Sequence, residues 1–103
     1  MVLTKKFRDT VLARAKEDSE FRKEMLTEAV NQILSGDIEL GKTLLRDFIN
    51  ATVSFGLVAD ALGKNSKSIQ RMLSPKGNPT MENLIKLLKV LQDREGVQFR
   101  VVS

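Results

Sequence analysis

The stretch "SEFRKEMLTEAVNQILSG", residues 19–36, repeats its apolar side chains every three to four positions: Phe21, Met25, Leu26, Ala29, Val30, Ile33 and Leu34. That period matches the turn of an α-helix and not the two-residue period of a strand, so the segment forms an amphipathic helix that needs a core to pack on. Asp18 or Ser19 serves as its N-cap and Gly36 as its stop. The same pattern recurs on both sides. Residues 4–17 set Phe7, Val11, Leu12 and Ala15 on one stripe, and Asp37 caps a third helix with Ile38, Leu40, Leu44, Leu45, Phe48 and Ile49 apolar. Two short helices are expected over 55–62 and 66–73, parted by Gly63. Thr80 then caps a last helix carrying Met81, Leu84, Ile85, Leu87, Leu88 and Leu91. Its apolar residues run nearly all round, which predicts the central core helix.

The fold class that follows is all-α, with about six helices plus one short C-terminal strand. That strand is expected over 97–103, where "VQFRVV" alternates and is β-branched. A lone strand leaves its backbone groups unpaired and calls for a partner chain. A chain of 103 residues forms one domain around one core. With no cysteine or histidine, it has no disulfide framework, no zinc site of the usual ligands and no Cys/His or Ser/His nucleophilic pair. The expectation is a non-enzyme without cofactor or metal, since no Asp/Glu cluster has ligand spacing. No apolar run approaches a membrane span, and the chain reads as soluble and cytoplasmic.

Charge is unevenly spread. Residues 1–53 hold nine bases and nine acids, whereas residues 54–103 hold eight bases against four acids, which accounts for the net charge of +4. Between Asp60 and Glu82 lie Lys64, Lys67, Arg71 and Lys76 and no acid at all. Such focused positive charge fits a polyanion, although a merely solvated face has the same composition.

The spacing inside this stretch separates a buried face from an outward one. Val58, Ala59 and Leu62 on one short helix and Ile69 and Met72 on the next face inward, with Gly63 allowing a sharp turn and Ala59 a close crossing. This is the spacing of a helix-turn-helix. Ser66, Lys67, Gln70 and Arg71 then point outward, with Asn65 at the start of the second helix. Glutamine can bond bidentately to adenine and arginine to guanine, while Ser, Asn and Lys reach phosphates or base edges. In the following loop "SPKGNP", Pro75 and Gly77 suit the second and fourth positions of a type I turn beginning at Ser74. Lys76 and Asn78 there fall beside the DNA backbone as phosphate contacts. Lys64 stands where such turns bury an apolar residue, so its stem is expected to cover the core.

At these residues the chain resembles a known family. "NATVSFGLVADALGKNSKSIQRMLSPKGNPTMENLIKLLKVLQDREG", residues 50–96, looks like the DNA-binding part of the HigA-like, Xre-type addiction-module antidote proteins, the antitoxins of type II toxin-antitoxin pairs. "KSIQRMLSPKGNPTMENL" is its most distinctive element, and "DSEFRKEMLTEAVNQILSGD", residues 18–37, is similar to the family's N-terminal segment. "SFG" at 54–56 departs from the family's usual Ser/Thr-Gln opening of the first motif helix. The resemblance implies a homodimeric cytoplasmic repressor that binds double-stranded operator DNA, autoregulates its operon and neutralises a RelE/ParE-like toxin. It implies DNA contacts at Ser66, Lys67, Gln70, Arg71, Lys76 and Asn78. The single domain then divides into N-terminal helices (1–53), a DNA-binding part (54–96) and the C-terminal strand (97–103).

Glu20, Glu24 and Glu28 recur every four residues, one turn after Glu17, as an acidic stripe opposite the apolar face of the second helix. It reads either as a solvated face beside Arg22 and Lys23 or as a surface for a basic toxin. Two rival functions share the sequence features: a prophage-type repressor with no toxin partner, and a protein-interaction module that uses the helix pair as scaffold.

Overall fold

A computed structural model of the chain describes residues 5–103, without the side chains of residues 5, 7 and 8. Residue 4 and the side chain of Phe7, both part of the expected first helix, lie outside the described residues. The chain forms α1 (Lys5–Glu17), α2 (Ser19–Ser35), α3 (Ile38–Thr52), α4 (Phe55–Leu62), α5 (Ser66–Met72) and α6 (Met81–Glu95).

Each helix from α2 onward begins where a short polar side chain can satisfy a free backbone N–H. Asp18 accepts from Phe21 N at 3.1 Å, Asp37 from Leu40 N at 3.1 Å, and Thr80 Oγ1 from Asn83 N at 3.1 Å. The caps expected at Asp37 and Thr80 are present, and of the pair Asp18 and Ser19 it is Asp18 that caps.

The core forms where α2 and α3 fold back on each other. A Cβ on Gly41 would overlap Ile33 Cγ1 and stand 3.3 Å from the Ala29 carbonyl oxygen, so the bare backbone of α3 is what lets α2 approach there. Leu45, Phe48 and Ile49 of α3 meet Leu26 and Ala29 of α2, and the cluster continues through Val58, Ile69, Leu73, Leu87 and Leu91. The central helix is therefore α3, not α6. Leu87, Leu88 and Leu91 are buried, but Met81 and Ile85 are 80% and 57% exposed. An apolar residue count around a helix does not say which sides are covered; here Leu84 packs against the core while Met81 and Ile85 face solvent.

Arg22 closes the molecule on the other side. Its Nε donates to both carboxylate oxygens of Glu95 at 3.1 Å, and its Nη1 donates to the carbonyl of Ala15 at 3.0 Å. One guanidinium thus joins the last turn of α1, the first turn of α2 and the end of α6, and Glu95 is only 7% exposed. Far from being solvated beside the acidic stripe, Arg22 is a structural tie.

The strand expected over 97–103 is not seen. These residues carry no regular structure. Phe99 packs on the core and its N–H donates to Gln92 Oε1 at 2.9 Å, whereas Val101 and Val102 are exposed. An alternating pattern makes a strand only against another strand, and the described residues offer none. Among the described residues no helix is long and apolar enough to cross a membrane.

α3 passes into α4 through Ser54, the one non-glycine residue with positive φ among those described, at φ 81° and ψ 150°. That region is costly for any residue with a Cβ, by about 1–3 kcal/mol. Ser54 Oγ in return caps α4, accepting from Leu57 N at 3.3 Å. Ser54→Gly relieves the strain and loses little as a cap, whereas Ser54→Ala keeps the strain and loses the cap. The glycine variant is expected to exceed the alanine variant by about 1–2 kcal/mol in urea unfolding. The ordinary order, with alanine ahead, would remove the strain from Ser54.

Candidate functional site

The α4–α5 pair is built on a small buried set. Val58 and Ala59 of α4 are buried, Leu62 packs against the core, and Gly63 ends the helix at φ 66°, a left-handed conformation that costs glycine nothing. Lys64 N–H returns to the Ala59 carbonyl at 2.9 Å, closing the turn. Asn65 Oδ1 then accepts from Ser68 N at 2.8 Å and starts α5. Its oxygen is held by the helix start, which leaves the amide N–H groups as its outward chemistry.

Within α5, Ile69 is fully buried, Leu73 just beyond it is buried as well, and Met72 is half-buried. Residues four apart share a helix face, so burial of 69 and 73 leaves the opposite side outward. Lys67, Gln70 and Arg71 are exposed on that side, and Ser66 is half-buried in the first turn.

The loop after α5 is held from both sides. Gly77 N–H donates to the Ser74 carbonyl at 2.9 Å, the bond of the expected turn. Ser74 Oγ donates to the Arg71 carbonyl at 2.7 Å, tying the turn to α5. From below, Lys42 of α3, 3% exposed, donates to the carbonyls of Gly77 at 2.7 Å and Ser74 at 3.0 Å, with that of Pro75 at 3.5 Å. Glu39 Oε1, at 3.0 Å, balances the charge from the solvent side. Lys76 and Asn78 stand exposed on the outer surface of this loop.

Lys64, Arg71, Lys76, Asn78 and Asn83 surround a shallow open depression of about 360 Å³ between α5, the loop and the start of α6. No acid lines it. The nearest is Glu82, whose carboxyl is held below its usual range first by Lys86, bonded to it at 3.0 Å, and more weakly by Lys64. Such a depression, open and ringed by cations and amides, suits an extended anion rather than an enclosed small molecule.

The structure therefore brings Arg71, Lys76 and Asn78 together, with Asn65, Ser66, Lys67 and Gln70 on the adjoining helix face. Two members were missed. Lys64 is exposed beside Arg71 and Lys76. Lys42 was counted only among the bases of the neutral half; the signal was its position three and seven residues before the buried Leu45 and Ile49, on the inward stripe of α3. Glu20, Glu24 and Glu28 are exposed on α2 and belong to a different surface. Glu20 lies 3.5 Å from Lys23, and Glu28 accepts from Gln32 at 2.7 Å. Among the described residues no group of acids could hold a metal ion.

Gly77 is required by space. A Cβ there would overlap the carbonyl oxygen of Arg71 and stand 2.5 Å from that of Met72, both of them backbone atoms of α5. Gly77→Ala must lift the loop off the helix and is expected to cost about 1–3 kcal/mol in thermal unfolding. An unchanged melting temperature would mean that the loop does not seat on α5.

Comparison with known proteins finds no matching family model, no similar curated protein and no similar solved structure.

Proposed function

We propose that the chain is a sequence-specific repressor of double-stranded DNA, with α4 and α5 as a helix-turn-helix and α5 laid in the major groove. The observation that carries this reading is the acid-free outer face of α5. Lys67, Gln70 and Arg71 are exposed on it, opposite the buried Ile69 and Leu73, with Lys64 and Lys76 alongside. Gln70 and Arg71 read base edges; Ser66, Lys67 and the Asn65 amide reach base edges or phosphates, and Lys76 and Asn78 grip the backbone. The resemblance of residues 50–96 to Xre-type antitoxins supports the same assignment. It also favours two copies on a palindromic site, where the tail ends, exposed at Val101 and Val102, are suited to pair with each other.

Binding to DNA is expected to weaken steeply with salt, because lysines and arginines displace condensed counterions. Gln70→Ala and Arg71→Ala each cost about 1–3 kcal/mol and relax preference at one base pair, whereas Lys76→Ala weakens all sequences alike. Selection from a random duplex pool, followed by salt titrations and stoichiometry, reads all three effects. A flat salt response overturns the DNA reading, and an identical sequence-independent loss from all three variants overturns the orientation of α5.

A second activity, neutralisation of a basic RelE/ParE-like toxin, is favoured by the exposed stripe Glu20, Glu24 and Glu28, remote from the basic loop in sequence and on a separate helix. Opposite charge across such an interface speeds association and fixes register. In the double variant Glu24→Lys with Glu28→Lys, helicity is expected to stay within the small changes typical of exposed sites, and DNA affinity to hold or rise. Rescue of growth from the cognate toxin is expected to fall. Full rescue returns the stripe to ordinary solvated surface.

A further inference from the structure

The ammonium of Lys42 is the least expected charge in the molecule. It sits on the inward stripe of α3, next to Leu45 and Ile49, and reaches a loop more than thirty residues along the chain. An ammonium has three hydrogens. Three acceptors stand at 3.0 Å or closer, the carbonyls of Gly77 and Ser74 and the Glu39 carboxylate, so the group is fully bonded although it is 3% exposed. The two carbonyls lie on either side of Lys76, and that of Gly77 adjoins Asn78. Gly77 lies between those residues, and Ser74 begins the turn that contains Lys76.

We infer that Lys42 is a positioning residue for the nucleic-acid surface: from inside the core it fixes the 74–78 loop, and so sets where Lys76 and Asn78 stand relative to α5. The consequence for phosphate binding rests on the DNA reading; the control of the loop does not. Three features of the loop point this way. Its prolines, Pro75 inside the turn and Pro79 after it, donate no hydrogen bonds of their own. Its own closing bond, Gly77 N–H to Ser74 carbonyl, joins the two residues whose carbonyls Lys42 holds. At its Gly77 end the contact with α5 is steric, which prevents approach without preventing departure, whereas the Ser74 end is bonded to the Arg71 carbonyl. Lys42 supplies the inward pull at the Gly77 end of the turn.

Lys42→Met keeps an unbranched stem, one atom shorter, to pack beside Leu45 while removing every donor. In the free protein, amide exchange at Gly77 is expected to accelerate by more than tenfold relative to wild type, while amides of α2 and α3 stay protected. On a random-sequence DNA duplex, the slope of log affinity against log salt is expected to fall by about one, as for Lys76→Ala. The double variant Lys42→Met with Lys76→Ala is expected to show no further fall in slope, since both changes remove the same charged contact and Asn78 is neutral. Lys42→Arg, which keeps the cation and its donors, restores both loop protection and slope. A purely structural lysine would lower stability and leave the salt slope alone. Should the methionine variant fail to fold, Lys42→Gln, too short to reach both carbonyls, is measured in the same way.

Unchanged exchange at Gly77 in the folded Lys42→Met or Lys42→Gln chain overturns the inference without any DNA in the sample. Fully additive losses in the double variant overturn it as well, because Lys42 would then act elsewhere than through Lys76. A wild-type chain that does not bind duplex DNA is a different failure: it rejects the function proposed above, while the exchange experiment still decides what holds the loop.

Discussion

A positive charge drawn out of water costs several kcal/mol unless its hydrogen bonds are replaced. Lys42 meets that condition with carbonyls of the loop after α5 and with Glu39, and the basic surface depends on this arrangement. Because the ammonium can be satisfied only when the loop is seated, α3 and the α5 loop must fold together. The exposed face of α5 and the loop beside it are thereby parts of one rigid surface, although neither is long enough to be stable alone.

The remaining ties distribute the same logic. Arg22 gathers the ends of α1 and α6 at the far side of the core, with Glu95 largely shielded from water. Between Arg22 and Lys42 lies the apolar contact of α2 with α3, where Gly41 lets the two backbones approach. Such charge-assisted bonds contribute less than the apolar burial they accompany, but they are directional, and so they select one arrangement of helices among those the burial would allow. Among the described residues no buried side-chain nitrogen or oxygen is left without a hydrogen-bond partner.

Much of this was legible in residue order because it is local. Asp37, Thr80, Gly36, Gly63 and the turn at Ser74 mark helix ends through interactions spanning three or four residues, and the helices begin and end where those signals stand. The outward face of α5 followed from the inward period of Ile69 and its neighbours. What was not legible depends on distant partners. Lys42 looks like surface until the loop more than thirty residues later is set above it. The apolar residues of α6 suggested a central helix because a one-dimensional pattern counts them but does not say which neighbours reach them. The alternating tail likewise states a preference that one chain by itself does not fulfil.

The division of charge along the chain has a mechanical consequence. Residues 1–53 are neutral overall and residues 54–103 carry the whole excess of +4, concentrated near α5 and its loop. Displacement of the positive charge from the centre of mass gives the molecule an orienting moment. In the field of a polyanion such a body experiences a torque as well as an attraction, and it turns its charged side forward once it comes within about a Debye length of the surface. The rotational part of the search is then largely complete before contact.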